Sequence, residues 1–134
     1  MGPLNITTEI LTLKDARLRL DLIRPDVERL MSLSKEIRDL DSDSRHLDPE
    51  TDEGAEMLEK LESLHHEWRE CLATINSQGG YVKDPTTGLL DFYAWKDGEM
   101  VFLCWKHGEE TITTWHGLHE GFRNRKHIGV ADDF

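Results

Sequence analysis

Few of the residues that announce a reaction are present. Only two cysteines occur in 134 residues, Cys71 and Cys104, and neither sits in a CxxC or CxxH spacing. That excludes a zinc ribbon and a disulfide-stapled scaffold, and in a reducing compartment both read as free thiols. No apolar run approaches the roughly 18 residues that a membrane span needs, and the opening residues lack a basic-then-apolar signal pattern. The expectation is a cytoplasmic chain. Positive charge is also short: 16 basic against 27 acidic residues leave a net charge of −11. Such a balance repels phosphate backbones, so neither nucleic acid nor an anionic membrane is an expected partner. No glycine-rich phosphate cradle and no nucleophile beside a base and its orienting group can be read from the sequence, which leans away from an enzyme.

What is present begins with a repeated phrase, Phe92-Tyr93-Ala94-Trp95-Lys96-Asp97-Gly98-Glu99 followed by Phe102-Leu103-Cys104-Trp105-Lys106-His107-Gly108-Glu109. Asp-Gly and His-Gly suit type I′ turns, which need φ > 0 at both central residues. The spacing predicts an antiparallel meander whose third strand ends at Trp115. Two symmetric turns pair Trp95 with Met100, Phe92 with Leu103, Cys104 with Thr111 and Leu103 with Ile112. One face then carries Leu90, Phe92, Ala94, Val101, Leu103, Trp105, Ile112 and Thr114, the natural core. The other carries Asp91, Tyr93, Trp95, Met100, Phe102, Cys104 and Trp115. Leu118, Phe122 and Ile128 of the C-terminal segment are expected to cover this second face unless it is a recognition surface.

Upstream, the charge is concentrated: 10 basic and 18 acidic residues precede Gly79, against 6 and 9 after it. Thr12 with Asp15 reads as a helix start. Leu13, Ala16, Leu20, Ile23, Val27, Leu30, Ser34 and Ile37 then recur in steps of three and four, the seam of a helix packed on another helix. Pro25 lies off that seam and is expected to kink the helix rather than end it. Asp39 to Glu53 reads as an acidic connection, with Asp48-Pro49 restarting a helix through Leu58, Leu61, His65, Trp68, Leu72 and Ile75 to a stop at Gly79-Gly80. The fold class is α+β: a long antiparallel two-helix hairpin over residues 12–78, then a small three- to four-stranded antiparallel β-meander and a short C-terminal segment over 79–134, in one domain spanning 1–134. Helices of this length, on the order of 40 Å, exceed what the sheet can cover, so a homodimer through the helices is expected.

Val82-Lys83-Asp84, Gly88 to Phe92, Val101 to Trp105, Gly108-Glu109, Trp115-His116, Gly121-Phe122 and Arg125, together with the opening Leu11 to Ala16, resemble the small bacterial family catalogued as domain of unknown function 2203. The resemblance implies a fold and residues to suspect, and no activity.

Five residues are candidates for ligand binding: His116, Arg125, Asp91, Cys104 and His65. His65 interrupts an apolar seam, as a ligand or as a satisfied core histidine. Asp91 and Cys104 are cross-strand neighbours, and a carboxylate beside a thiol raises its pKa, which makes a poor nucleophile and a better hydrogen-bonded pair. Arg125, with Arg123 and Lys126, can clamp an anion or pair with the acidic helices. His116, His119 and Glu120 share one face if a helical turn starts there, a corner for a divalent metal with Asp91 or Cys104 as the missing ligand. The pocket is expected where the third strand meets the second helix. The functional expectation is a non-enzymatic self-associating interaction module, the alternative a metal- or small-ligand-binding protein.

Overall fold

Thr12 opens the first helix as its chemistry predicts, its hydroxyl accepting the Asp15 N–H at 3.1 Å. In the computed structural model, which describes residues 9–134, this helix, α1, runs Leu13–Ser44 without a break at Pro25. It continues into the acidic stretch predicted to be a connection. Lys35 pairs with Asp39 one turn away at 2.7 Å, and the Ser44 hydroxyl donates to the Asp41 carbonyl at 2.9 Å, so polar side chains there support helix rather than end it. The second helix, α2, spans Asp52–Ser77. Its N-cap is Thr51, accepting from the Gly54 N–H at 3.1 Å, and not Asp48. Asp48 instead receives the Glu50 N–H at 2.9 Å in the preceding turn. That turn lies so close to the helix that a Cβ on Gly54 would sit 1.9 Å from the Asp48 carbonyl oxygen, which explains a glycine inside the first turn of α2.

The seam of α1 is buried at Ala16, Leu20, Ile23, Val27, Leu30 and Leu33. Ser34 is its polar position, taking the Trp68 indole N–H at 2.8 Å and donating to the Leu30 carbonyl at 2.7 Å. The stripe of α2 differs from the predicted one. Met57, Leu61, Leu64, Trp68 and Ile75 face inward or partly so, whereas Leu58 and His65 are exposed. Each stands one residue past the inward position, about 100° around the helix.

The sheet has five antiparallel strands in sequential order rather than three or four: β1 Tyr81–Asp84, β2 Leu89–Lys96, β3 Glu99–Lys106, β4 Thr114–Gly117 and β5 Lys126–His127. A parallel bridge at Ile10 adds one contact beside Tyr93. The β2–β3 turn is the predicted one: Asp97 and Gly98 have φ of 52° and 79°, and Trp95 faces Met100. The next connection is not. Cys104 pairs with Thr114 and Leu103 with Trp115, three residues beyond the predicted partners. His107 does not take a positive φ, and residues 107–113 leave the sheet to meet α1. There the Arg17 guanidinium donates to the Ile112 carbonyl at 2.8 and 3.1 Å, and Arg24 to that of Glu110.

An odd offset exchanges the two faces of a strand. Trp115 therefore joins the side of Leu90, Phe92, Ala94, Val101, Leu103 and Trp105, which packs with α1 and Ile75 into the core, and Ile112 reaches that core from the loop. Thr114 and His116 turn to the opposite side with Asp91, Phe102 and Cys104. The four rings expected together, Tyr93, Trp95, Phe102 and Trp115, are split between the faces. Ile128 likewise packs against the core instead of covering the second face.

Candidate functional site

Three neighbouring strands each place one polar residue on the sheet face turned away from α1 and α2. Asp91 of β2 faces Cys104 of β3, and His116 of β4 stands opposite Phe102, two residues along β3 from Cys104 and on the same face. All three are buried, Asp91 and His116 at 2 % exposure and Cys104 at 0 %. Their ligating atoms lie within 4.8 Å of one another.

Histidine geometry defines the chemistry. His116 Nδ1 lies 2.8 Å from the Gly117 carbonyl oxygen, which can only accept, so this nitrogen carries a hydrogen. Nε2 lies 3.1 and 3.2 Å from the two oxygens of Asp91. Between Nε2 and a carboxylate something positive must stand, either a shared proton or a metal ion, since two lone pairs would repel. Burial alone pulls the imidazole pKa down, but the hydrogen bonds to Asp91 and Gly117 and the Asp91 charge reverse this, and the net shift is upward. Burial, and after it the charge of Asp91, pushes the Cys104 thiol up to about 12, against the opposing pull of Arg125. The free thiol is therefore protonated at neutral pH and is no nucleophile, in the direction expected from its acidic neighbour.

Arg125 supports this group from the side. It donates to both carboxylate oxygens of Glu109 at 3.0 Å and to the Thr114 hydroxyl at 3.2 Å, and its guanidinium lies 4.0 Å from the Phe122 ring centroid. Thr114 in turn donates to the Cys104 carbonyl at 2.9 Å. Beside Asp91, Cys104 and His116 is a cavity of about 180 Å³, walled by Leu89, Phe102, Leu118 and Phe122 with Lys83 and Glu120 at its polar edge.

Four of the five suspected ligand-binding residues thus converge: His116, Asp91, Cys104 and Arg125. His65 does not, because it is exposed on α2, on the other side of the sheet. The cavity beside them lies not at the junction of the sheet with the second helix but on the opposite face. His119 and Glu120 do not form a metal corner with His116. The chain turns at Gly117 instead of starting a helix, His119 points to solvent, and Glu120 is held by the Gly117 N–H at 2.8 Å and Lys126 at 3.0 Å. Those two contacts keep its carboxyl below the usual range. Lys83, which also lines this cavity, is not among the residues the sequence pointed to. The turn signal Asp84-Pro85 to Gly88 points to a strand before it, and with it to a lysine at the cavity edge.

A family model described as Uncharacterized conserved protein (DUF2203) matches residues 9–128. No curated protein and no solved structure matches the chain.

Proposed function

The chain belongs to the DUF2203 family, and we propose that it binds one divalent transition-metal ion, of the zinc class, through Asp91, Cys104 and His116. One observation carries this reading. The Nδ1–H of His116 is fixed on a backbone carbonyl, which aims Nε2 at a carboxylate and a thiol, and histidines that ligate metals are oriented in this way. A carboxylate oxygen, a thiolate and an imidazole are a ligand set suited to zinc, with three protein groups leaving one position open. The metal would replace the proton between Nε2 and Asp91 and deprotonate Cys104, so the thiol's raised pKa is overcome by the ion's own charge. Native mass spectrometry of the chain titrated with zinc tests this. One zinc per chain that is lost in His116→Phe, with near-ultraviolet circular dichroism unchanged, supports the centre. No zinc at micromolar concentrations, or equal zinc in the variant, contradicts it.

Self-association through the helices is the second reading. It is supported by large apolar side chains on the outside of the hairpin: Leu18 and Leu22 of α1 at 55 and 67 % exposure, and Leu58 of α2 at 50 %. Leucines four apart on one helix form a continuous stripe, and such stripes mark interfaces. Sedimentation should give a dimer that Leu18→Lys with Leu22→Lys turns into a monomer. A wild-type monomer at micromolar concentration would end this reading. No helix among the described residues is long and apolar enough to cross a membrane.

A further inference from the structure

We infer that the open position of the metal centre receives a short-chain carboxylate, its head between the metal and Lys83 and its tail against Phe102, Leu118 and Phe122. The inference rests on the metal reading above.

Asp91, Cys104 and His116 lie behind one wall of the cavity, almost fully buried, so an ion held by them would present its open position to the cavity. With Asp91 and Cys104 ionised, a divalent metal leaves the centre near neutral, and it imposes no charge penalty on a further anion. The positive charge at the mouth comes from Lys83, whose Nζ lies 4.5 Å from the Phe102 ring centroid and which pairs with no carboxylate among the described residues. The acid at the rim does not oppose this charge, because Glu120 is already satisfied by the Gly117 N–H and Lys126. Arg125 is committed to Glu109 and Thr114 and does not line the cavity.

The remaining walls decide between anions. A phosphate or sulfate is polar on every side and needs donors all around it, which Leu89, Phe102, Leu118 and Phe122 cannot supply. A carboxylate with an aliphatic tail is polar at one end only, and this matches a cavity with its cations at one end and apolar walls elsewhere. An apolar cavity of about 150 Å³ holds a benzene ring, so one of about 180 Å³ takes on the order of six non-hydrogen atoms, the size of a four-carbon acid. Binding is a ligand exchange in which a carboxylate oxygen displaces water from the metal, with no redox change.

The test uses the full chain loaded with cobalt(II), whose visible spectrum reports the coordination sphere, titrated separately with acetate, propionate, butyrate and inorganic phosphate. The expected result is a spectral change with the carboxylates, with affinity rising about fourfold per methylene up to four carbons and little response to phosphate. Lys83→Ala should weaken butyrate about tenfold while cobalt affinity holds, and Phe122→Ala should flatten the chain-length dependence. Cobalt uptake with no response to butyrate, or with a phosphate response equal to or stronger than butyrate's, overturns this inference alone. Failure to take up cobalt overturns the metal reading and this inference with it.

Discussion

The two faces of the sheet are made by alternate residues of the same strands, and they are buried for different reasons. Leu90, Phe92, Leu103 and Trp105 face the helices and form a dry apolar core. Asp91, Cys104 and His116 point the other way, equally inaccessible, yet they lie outside the apolar core and beside a cavity. The first face is what holds the fold together. The second places an ionisable pair out of water, where desolvation offsets much of the pair's attraction, so a chain selected only for stability would have no need of it. The proposed metal centre accounts for a polar cluster sequestered on a face that the fold does not require for its core.

Mutations on the two faces should therefore behave in opposite ways. The largest loss is expected from Trp105→Ala, about 3–5 kcal/mol in urea denaturation, since its ring is fully buried between sheet and α1 and Arg24 stacks on it at 5.4 Å. A loss under about 1 kcal/mol would mean the core lies elsewhere. On the opposite face, Asp91→Ala alone should cost the metal-free protein about 3 kcal/mol, because His116 is left without its partner. The double variant Asp91→Leu with His116→Phe should instead be neutral or stabilised, by up to about 1–4 kcal/mol, while losing zinc completely. If the double variant unfolds, the pair is structural and the contrast between the faces fails.

Arg125→Ala comes next, at about 1–3 kcal/mol, for the bonds it strips from Glu109 and Thr114. The smallest effect is the pH dependence of the chelator-treated protein. Because the folded state raises the His116 pKa above its ordinary 6.5, the stability this group contributes is complete below that pH and is lost as pH rises through the raised value. Cys104 extends the trend: its thiol is held protonated up to about 12 against an ordinary 9.0, so the fold weakens further above pH 9. Melting temperatures across the neutral and alkaline range should fall, with the neutral part of the slope absent in His116→Phe. A rise would reverse the sign of the pair's contribution.

How much of this could be read beforehand followed how local each determinant is. Thr12, the apolar steps of α1 and the Asp97-Gly98 turn are decided by near neighbours, and all three were legible, as was the pairing of Asp91 with Cys104 that follows from that turn. The β3–β4 connection was not, because Arg17 and Arg24 fix it from the far end of the chain, and no repeat in the sequence carries that information. Its consequence was large: the three-residue offset brings His116 to Asp91 and sends Trp115 to the core. For His116 the sequence pointed to a metal corner with His119 and Glu120 and with Asp91 or Cys104 as a further ligand, and the structure brings it to Asp91 and Cys104 without the other two. His65 misled for a simpler reason, since a one-residue phase error on a helix moves a side chain from seam to solvent.

The most direct test of the metal centre is X-ray absorption at the zinc edge of the loaded protein. One sulfur scatterer at about 2.3 Å with nitrogen and oxygen at about 2.0–2.2 Å is the expected shell, since Cys104, His116 and Asp91 would each contribute one atom. Loss of the sulfur in Cys104→Ala would assign it. A shell of nitrogen and oxygen alone in the wild-type protein would place the metal elsewhere and contradict the site.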